Sequence, residues 1–146
     1  MSQGTVIAAR RTDGLFGWFE RNKEVGPLFV RLWVGFHLIY GVQDNIFSWA
    51  RMMEFREFLA QFGFPFPIVS AHVSVYAQFI CGVLYILGLF TRQAAVVMII
   101  NFIVALGMVH VGDPYPRAAL AFAMLAGSLF LLFHGPGRVS VDERRK

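Results

Sequence analysis

Seven side chains carry most of the chemistry this sequence offers a ligand: Tyr40, Gln43, Asp44, His72, Gln78, His110 and Arg117. Each lies within or beside an apolar stretch, where a polar group is costly to bury and tends to face a partner. His37, Gly41, Asp44 and Ser48 recur at i, i+4, i+7 and i+11, which aligns them on one helix face, with Tyr40 beside the stripe. Ser74, Gln78, Cys81 and Tyr85 make a second polar face, and Asn101 and His110 share a third segment. Phenol, amide, imidazole and guanidinium groups gathered at one depth can hydrogen-bond the carbonyls of an amphiphilic head group. The plainer alternative is a scatter of polar residues, each satisfied by its neighbours.

Other chemistries fit less well. One Cys excludes an internal disulfide framework, a CxxC redox pair and a Cys-ligated iron–sulfur cluster. Haem held by His37 and His110 fails on depth, since helical rise puts them about 15 Å and about 27 Å from the inner ends of their segments. His72, His110 and Asp44 lie nearer one level, but nothing like HExxH accompanies them, so no metal site is expected. Neither a glycine-rich phosphate loop nor a nucleophile motif is present.

The elements that must position these residues follow from composition. Of 146 residues, 57% are hydrophobic and only 15% charged, with 16 Phe; the mean hydropathy is +0.58. Soluble domains carry nearer a quarter charged residues, and disordered chains lack such apolar content. Residues 93–112 and 118–137 are each uncharged runs of 20, and 58–91 also lacks charge. A bilayer-spanning helix needs about 20 mainly apolar residues. Four spans are expected, near 27–47, 72–90, 93–111 and 117–134. The predicted fold is an all-α, integral membrane, up-down four-helix bundle, because Thr91-Arg92 and Gly112–Pro116 are connections too short for anything but antiparallel neighbours. Residues 26–135 form the membrane domain, with basic tails at 1–25 and 136–146.

Orientation follows the Lys/Arg distribution. The basic residues Arg10, Arg11, Arg21, Lys23, Arg31, Arg92, Arg138, Arg144, Arg145 and Lys146 fall on one side, against Arg51, Arg56 and Arg117 on the other. Both termini are expected in the cytoplasm, with residues 1–25 leading into an uncleaved anchor. The seven polar candidates then converge on the extracytoplasmic half as an outward funnel, Tyr40 about 6 Å below Asp44 and Gln78 roughly 9 Å deeper than His72. Arg31, about one turn inside the first span, is expected to snorkel as an anchor. Asn101, Arg92 and Arg138 are read as structural, Arg138 binding lipid phosphate or the last carbonyls of a neighbouring helix. Ala119, Ala123 and Gly127 have the small-xxx-small spacing of close helix packing. In the loop 48–71, Met52, Phe55, Leu59 and Phe62 recur at helical spacing until Gly63–Pro67 stops the helix. That amphipathic helix either lies in the outer interface or packs over the bundle mouth as a lid.

Several strings resemble the DoxX family of small four-helix membrane proteins. They are Gly88-Leu89-Phe90-Thr91-Arg92, the closing Gly135-Pro136-Gly137-Arg138-Val139-Ser140-Val141-Asp142, Tyr40-Gly41-Val42-Gln43-Asp44, Phe58-Leu59 with Gly63–Pro67, and Asn101 with Val109-His110. The resemblance covers about residues 27–142. Tyr40 stands where the family commonly has His, Asp44 where it has Lys, and Gln78 where many members have Glu. An amide cannot titrate as that Glu would. The resemblance implies a membrane subunit of, or partner to, a quinone-linked oxidoreductase, with quinone as the bound cofactor and a soluble redox protein as partner. A non-catalytic anchor for a soluble redox enzyme and a small-solute carrier are the alternatives. Besides the lipid bilayer no nucleic-acid partner is expected, the basic tails reading as topology and lipid contact; whether the chain forms an oligomer, or is itself an enzyme, is left open.

Overall fold

The computed structural model describes residues 14–146, and these are helical throughout, with no strand among the described residues. A short helix α1 (Leu15–Arg21) and a 3-10 turn (Lys23–Val25) lead into α2 (Gly26–Phe47). The loop helix α3 (Trp49–Gln61) follows, then α4 (Pro67–Leu87), α5 (Thr91–Met108), α6 (Tyr115–His134) and a closing turn, α7 (Val141–Arg144). Four of these helices are long and apolar enough to cross a membrane: Lys23–Phe47 with its leading turn, Pro67–Leu87, Thr91–Met108 and Tyr115–His134. The expected spans are therefore present, each shifted by a few residues. Pro67 opens α4 five residues before the expected start, because Pro is well tolerated in the first helical turn. The ordered α1 replaces part of the expected tail; Arg10 and Arg11 lie outside the described residues.

The spans form a closed ring in which α2 packs along α4, α4 along α5, α5 along α6, and α6 returns to α2. At its centre lie Val34, Leu38, Tyr85, Ala95, Met98, Met124 and Leu131. The outward faces are apolar too, with Trp33, Phe36, Ile80, Ile100, Ile103 and Phe122 exposed. A helix that is hydrophobic all round belongs in lipid. The backbones of α2 and α4 touch at Gly35 and Gly82, where a Cβ on either would come within 2.8 or 2.9 Å of the other's carbonyl oxygen. Gly127 on α6 takes the expected small-residue role, since a Cβ there would meet Val34 at 2.6 Å. Within this core the Tyr85 hydroxyl donates to Ser128 Oγ at 3.0 Å, tying α4 to α6.

Helix α3 lies against the bundle. Met52 and Leu59 are buried against Val42, Ala71 and Val75, while Arg51 and Glu54 pair at 3.0 Å on the exposed side. Its entry is set by Ser48, whose hydroxyl accepts from the Arg51 N–H, and by Asn45, whose amide donates to the Arg51 carbonyl at 3.0 Å. The helix packs on α2 and α4, with Phe62 left largely outside the contact.

Candidate functional site

Under α3, the seam between α4 and α5 opens into a groove of about 540 Å³. Phe55, Phe58 and Leu59 of α3 and Phe64 of the following loop roof one end, and Val73, Val97, Ile100 and Val104 form apolar walls. Because Val73, Ile100 and Val104 are also exposed on the outer surface of the ring, the groove opens sideways toward lipid. Its polar groups form a line. Ser74 Oγ donates to Asn101 Oδ1 at 2.9 Å across the seam, and Gln78 Nε2 donates to Ser74 Oγ at 3.1 Å. That leaves the Asn101 amide hydrogens and one Gln78 amide hydrogen uncommitted among the described hydrogen bonds.

His110, beyond the end of α5, also lines the groove. Its Nδ1 lies 3.1 Å from Asp113 Oδ2, and Arg117 Nη1 lies 4.0 Å from the other carboxylate oxygen. In the tautomer whose Nδ1–H donates to that carboxylate, Nε2 of the neutral ring is left as an acceptor. Among the described residues, no Asp, Glu, Lys or Arg side chain lines the groove itself. An apolar slot with a few convergent hydrogen-bonding groups suits an uncharged amphiphile.

The seven sequence candidates do not all meet. Gln78 and His110 line the groove, and Arg117 touches it only through Asp113. Tyr40 is 63% exposed and stacks on Phe36, with ring centroids 5.7 Å apart. Gln43 is half-buried and Asp44 exposed, and neither side chain has a described hydrogen bond or ion pair. His72 bonds the Ile68 carbonyl at 2.7 Å and sits between Trp49 and Tyr76. The expected funnel therefore gives way to a narrower site, for a geometrical reason. Arg31, Val34, Leu38 and Val42 define the bundle-facing side of α2, and the His37–Gly41–Asp44 stripe lies roughly 100° around from it at 3.6 residues per turn. Spacing aligned those residues without saying which way they point. Arg117 approaches Asp113 rather than Asp44. Asn101, read as structural, does bond across helices, and in doing so it also lines the groove; Ser74 completes the link.

A second polar assembly closes the opposite end of the bundle. Arg31 is 1% exposed, so it does not snorkel. Its Nε donates to the Tyr85 carbonyl at 2.9 Å, Nη2 to Ile86 at 3.4 Å, and Nη1 to the Pro136 and Val139 carbonyls. The cation thus adds a donor at the Tyr85 and Ile86 carbonyls of the last turn of α4 and ties them to the closing segment. Gly88 makes room for it: φ is +68°, and a Cβ there would lie 2.7 Å from the guanidinium carbon. Asp142 accepts from the Phe90 and Thr91 N–H groups at 2.8 and 3.0 Å, capping α5, while its own N–H donates to the Gly88 carbonyl. Arg92 Nη2 reaches the Phe133 carbonyl at 3.5 Å, whereas Arg138 is exposed without a described side-chain partner. Asp142 was missed as a functional group, although Ser140-Val141-Asp142-Glu143 has the pattern of a helix-start capping box, and Ser140 Oγ does accept from the Glu143 N–H.

The DoxX family model matches residues 26–111, from the start of α2 through α5. An uncharacterized membrane protein of Mycobacterium tuberculosis is 32% identical over 96 residues, which make up 56% of this chain and 59% of that protein's length. The inner membrane protein YphA of Escherichia coli is 31% identical over 111 residues, covering 68% of this chain and 79% of the relative. No solved structure matches the chain. With more than half of its residues inside the family match, the chain belongs to the DoxX family.

Proposed function

We propose that this protein is an inner-membrane subunit of, or partner to, a quinone-linked oxidoreductase, and that the α4–α5 groove holds the quinone head group. The supporting observation is the groove itself: about 540 Å³, apolar, open toward lipid, and crossed by the Ser74–Asn101–Gln78 line with His110 at its edge. That volume falls in the usual range for small-molecule sites. A quinone would supply the two-electron carrier. Asn101 and Gln78 would donate hydrogen bonds to its carbonyls, and His110 Nε2 would accept one from a hydroxyl of the reduced head group. Asp113 would hold the imidazole in that orientation. The Lys/Arg asymmetry supports cytoplasmic termini and an extracytoplasmic groove.

The anchor reading draws on a different feature, the exposed stripe of α2. Gly41 has open space beside it, and Asp44 has no described side-chain partner, so a second helix would have somewhere to pack. The two readings separate in one experiment on the full chain in nanodiscs, measuring binding of a short-chain quinone analogue. Wild type should bind it, and His110→Ala and Gln78→Ala should each weaken binding by about 0.5–1.5 kcal/mol, the net worth of a hydrogen bond. Tyr40→Phe should bind as wild type does. If wild type binds no analogue, or if both groove variants bind normally, the quinone reading fails and the anchor reading takes its place.

A further inference from the structure

The end of the bundle that holds the Arg31–Asp142 assembly also carries a cleft of about 560 Å³ with a different character. It lies between the start of α5, the end of α6 and the closing segment, and Arg92, Arg138 and Arg145 all line it, with His134 beside them. None of the three arginines has a carboxylate within ion-pair distance among the described residues; Arg92 has only its long bond to the Phe133 carbonyl, and Arg145 lies 5.7 Å from the Phe90 ring centroid. The acids in the cleft wall are largely committed elsewhere. Both oxygens of Asp142 are taken by backbone N–H groups of the α4–α5 turn, and Glu143 is bonded by Lys146. Glu24 remains as the one lining carboxylate without a hydrogen-bond or ion-pair partner among the described residues.

We propose that this cleft binds the phosphate of an anionic phospholipid. Guanidinium groups match phosphate oxygens through paired N–H donors, and three of them facing one opening repel each other until an anion arrives. Free phosphate has the same head-group chemistry, but the surroundings favour the lipid. Phe90, Phe130 and Phe133 are exposed beside the cleft on the ends of α5 and α6, so apolar surface runs on from the cationic patch in the direction acyl chains would take. Basic sites at the ends of spanning helices lie at head-group level, where each Lys or Arg adds to the attraction for acidic lipid. The site is independent of the α4–α5 groove and stands whether or not that groove takes a quinone.

The test uses the full chain, purified in detergent and stripped of lipid, with phosphatidylglycerol, phosphatidylcholine and inorganic phosphate as separate probes. Native mass spectrometry reads bound lipid, and thermal midpoints read stabilisation. Phosphatidylglycerol should bind and stabilise, whereas phosphatidylcholine and inorganic phosphate at equal concentration should do neither. The double variant Arg138→Gln/Arg145→Gln should bind phosphatidylglycerol about 10- to 30-fold more weakly, from the loss of two surface charges. Arg51→Gln/Arg117→Gln, the same charge loss at the other end, should leave binding unchanged. Equal binding of phosphatidylcholine would overturn the proposal, as would undiminished binding by the first double variant. Inorganic phosphate matching the lipid would reassign the cleft to a soluble anion and overturn the lipid reading as well.

Discussion

Gly35 and Gly82 set how closely α2 and α4 approach, and one added methyl tests the claim. In Gly82→Ala the new Cβ would sit 2.8 Å from the Ile39 side chain and 2.9 Å from the Gly35 carbonyl oxygen, so the helices must part. The variant should lose about 1–3 kcal/mol, the usual cost of overpacking, read as a lower thermal midpoint in detergent. Gly41→Ala, with nothing within 4 Å, should not destabilise. Sequence reading found the comparable contact of Gly127 because small residues recur at four-residue spacing around it. Gly35 and Gly82 have no small residue four positions to either side and carry no such pattern. The same limit applied to the polar residues. Gln78 and His110 were identified, and their depth was read from rise per residue, but the rotation of α2 that carries Tyr40 and Asp44 away depends on packing against α4 and α6. Arg31 was placed at the right depth and given the wrong environment, since its carbonyl partners lie 54 to 108 residues away in sequence.

Among the elements, α5 is distinctive in being capped from outside its own neighbourhood. Its first residue follows Phe90, a non-glycine at φ +48°, and the two exposed N–H groups there are held by Asp142. Asp142→Asn keeps the shape but loses the charge and one of the two acceptor oxygens. It should cost about 1–2 kcal/mol, in the range of lost helix caps and charged hydrogen bonds, measurable as a lowered unfolding midpoint. The spans themselves were legible because charge is costly in lipid, and gaps between charges therefore mark them. That signal reports where charge stops, not where helix begins, which is why Pro67 starts its helix well inside the uncharged run 58–91 and Thr91 starts its helix ahead of the run that opens at 93. Helix α3 was legible from its apolar spacing, whereas its seat on α2 and α4 rests on the fit of Met52 and Leu59 over Val42, Ala71 and Val75. Nothing in the composition of Leu15–Arg21, with four apolar residues all exposed, distinguished α1 from a tail.

For the molecule as a whole, orientation decides which compartment the groove faces. A phosphatase fused after Lys146 should be inactive and a fluorescent protein at the same place should shine, as ten of the 13 Lys and Arg residues fall on the side of the termini. Active phosphatase would turn the groove toward the cytoplasm. The Arg31 assembly carries a further consequence, one of timing. Its guanidinium enters the bilayer with the first span, yet the Pro136 carbonyl that receives it is made 105 residues later. At ordinary rates of synthesis that interval is roughly 5–20 s. Throughout it, a positive charge sits in the membrane without its full set of acceptors, and the closing segment, emerging after the last span, extinguishes it. A nascent chain stalled before Pro136 would therefore advertise its incompleteness to any membrane chaperone or protease that senses an unmatched cation, while a finished one falls silent.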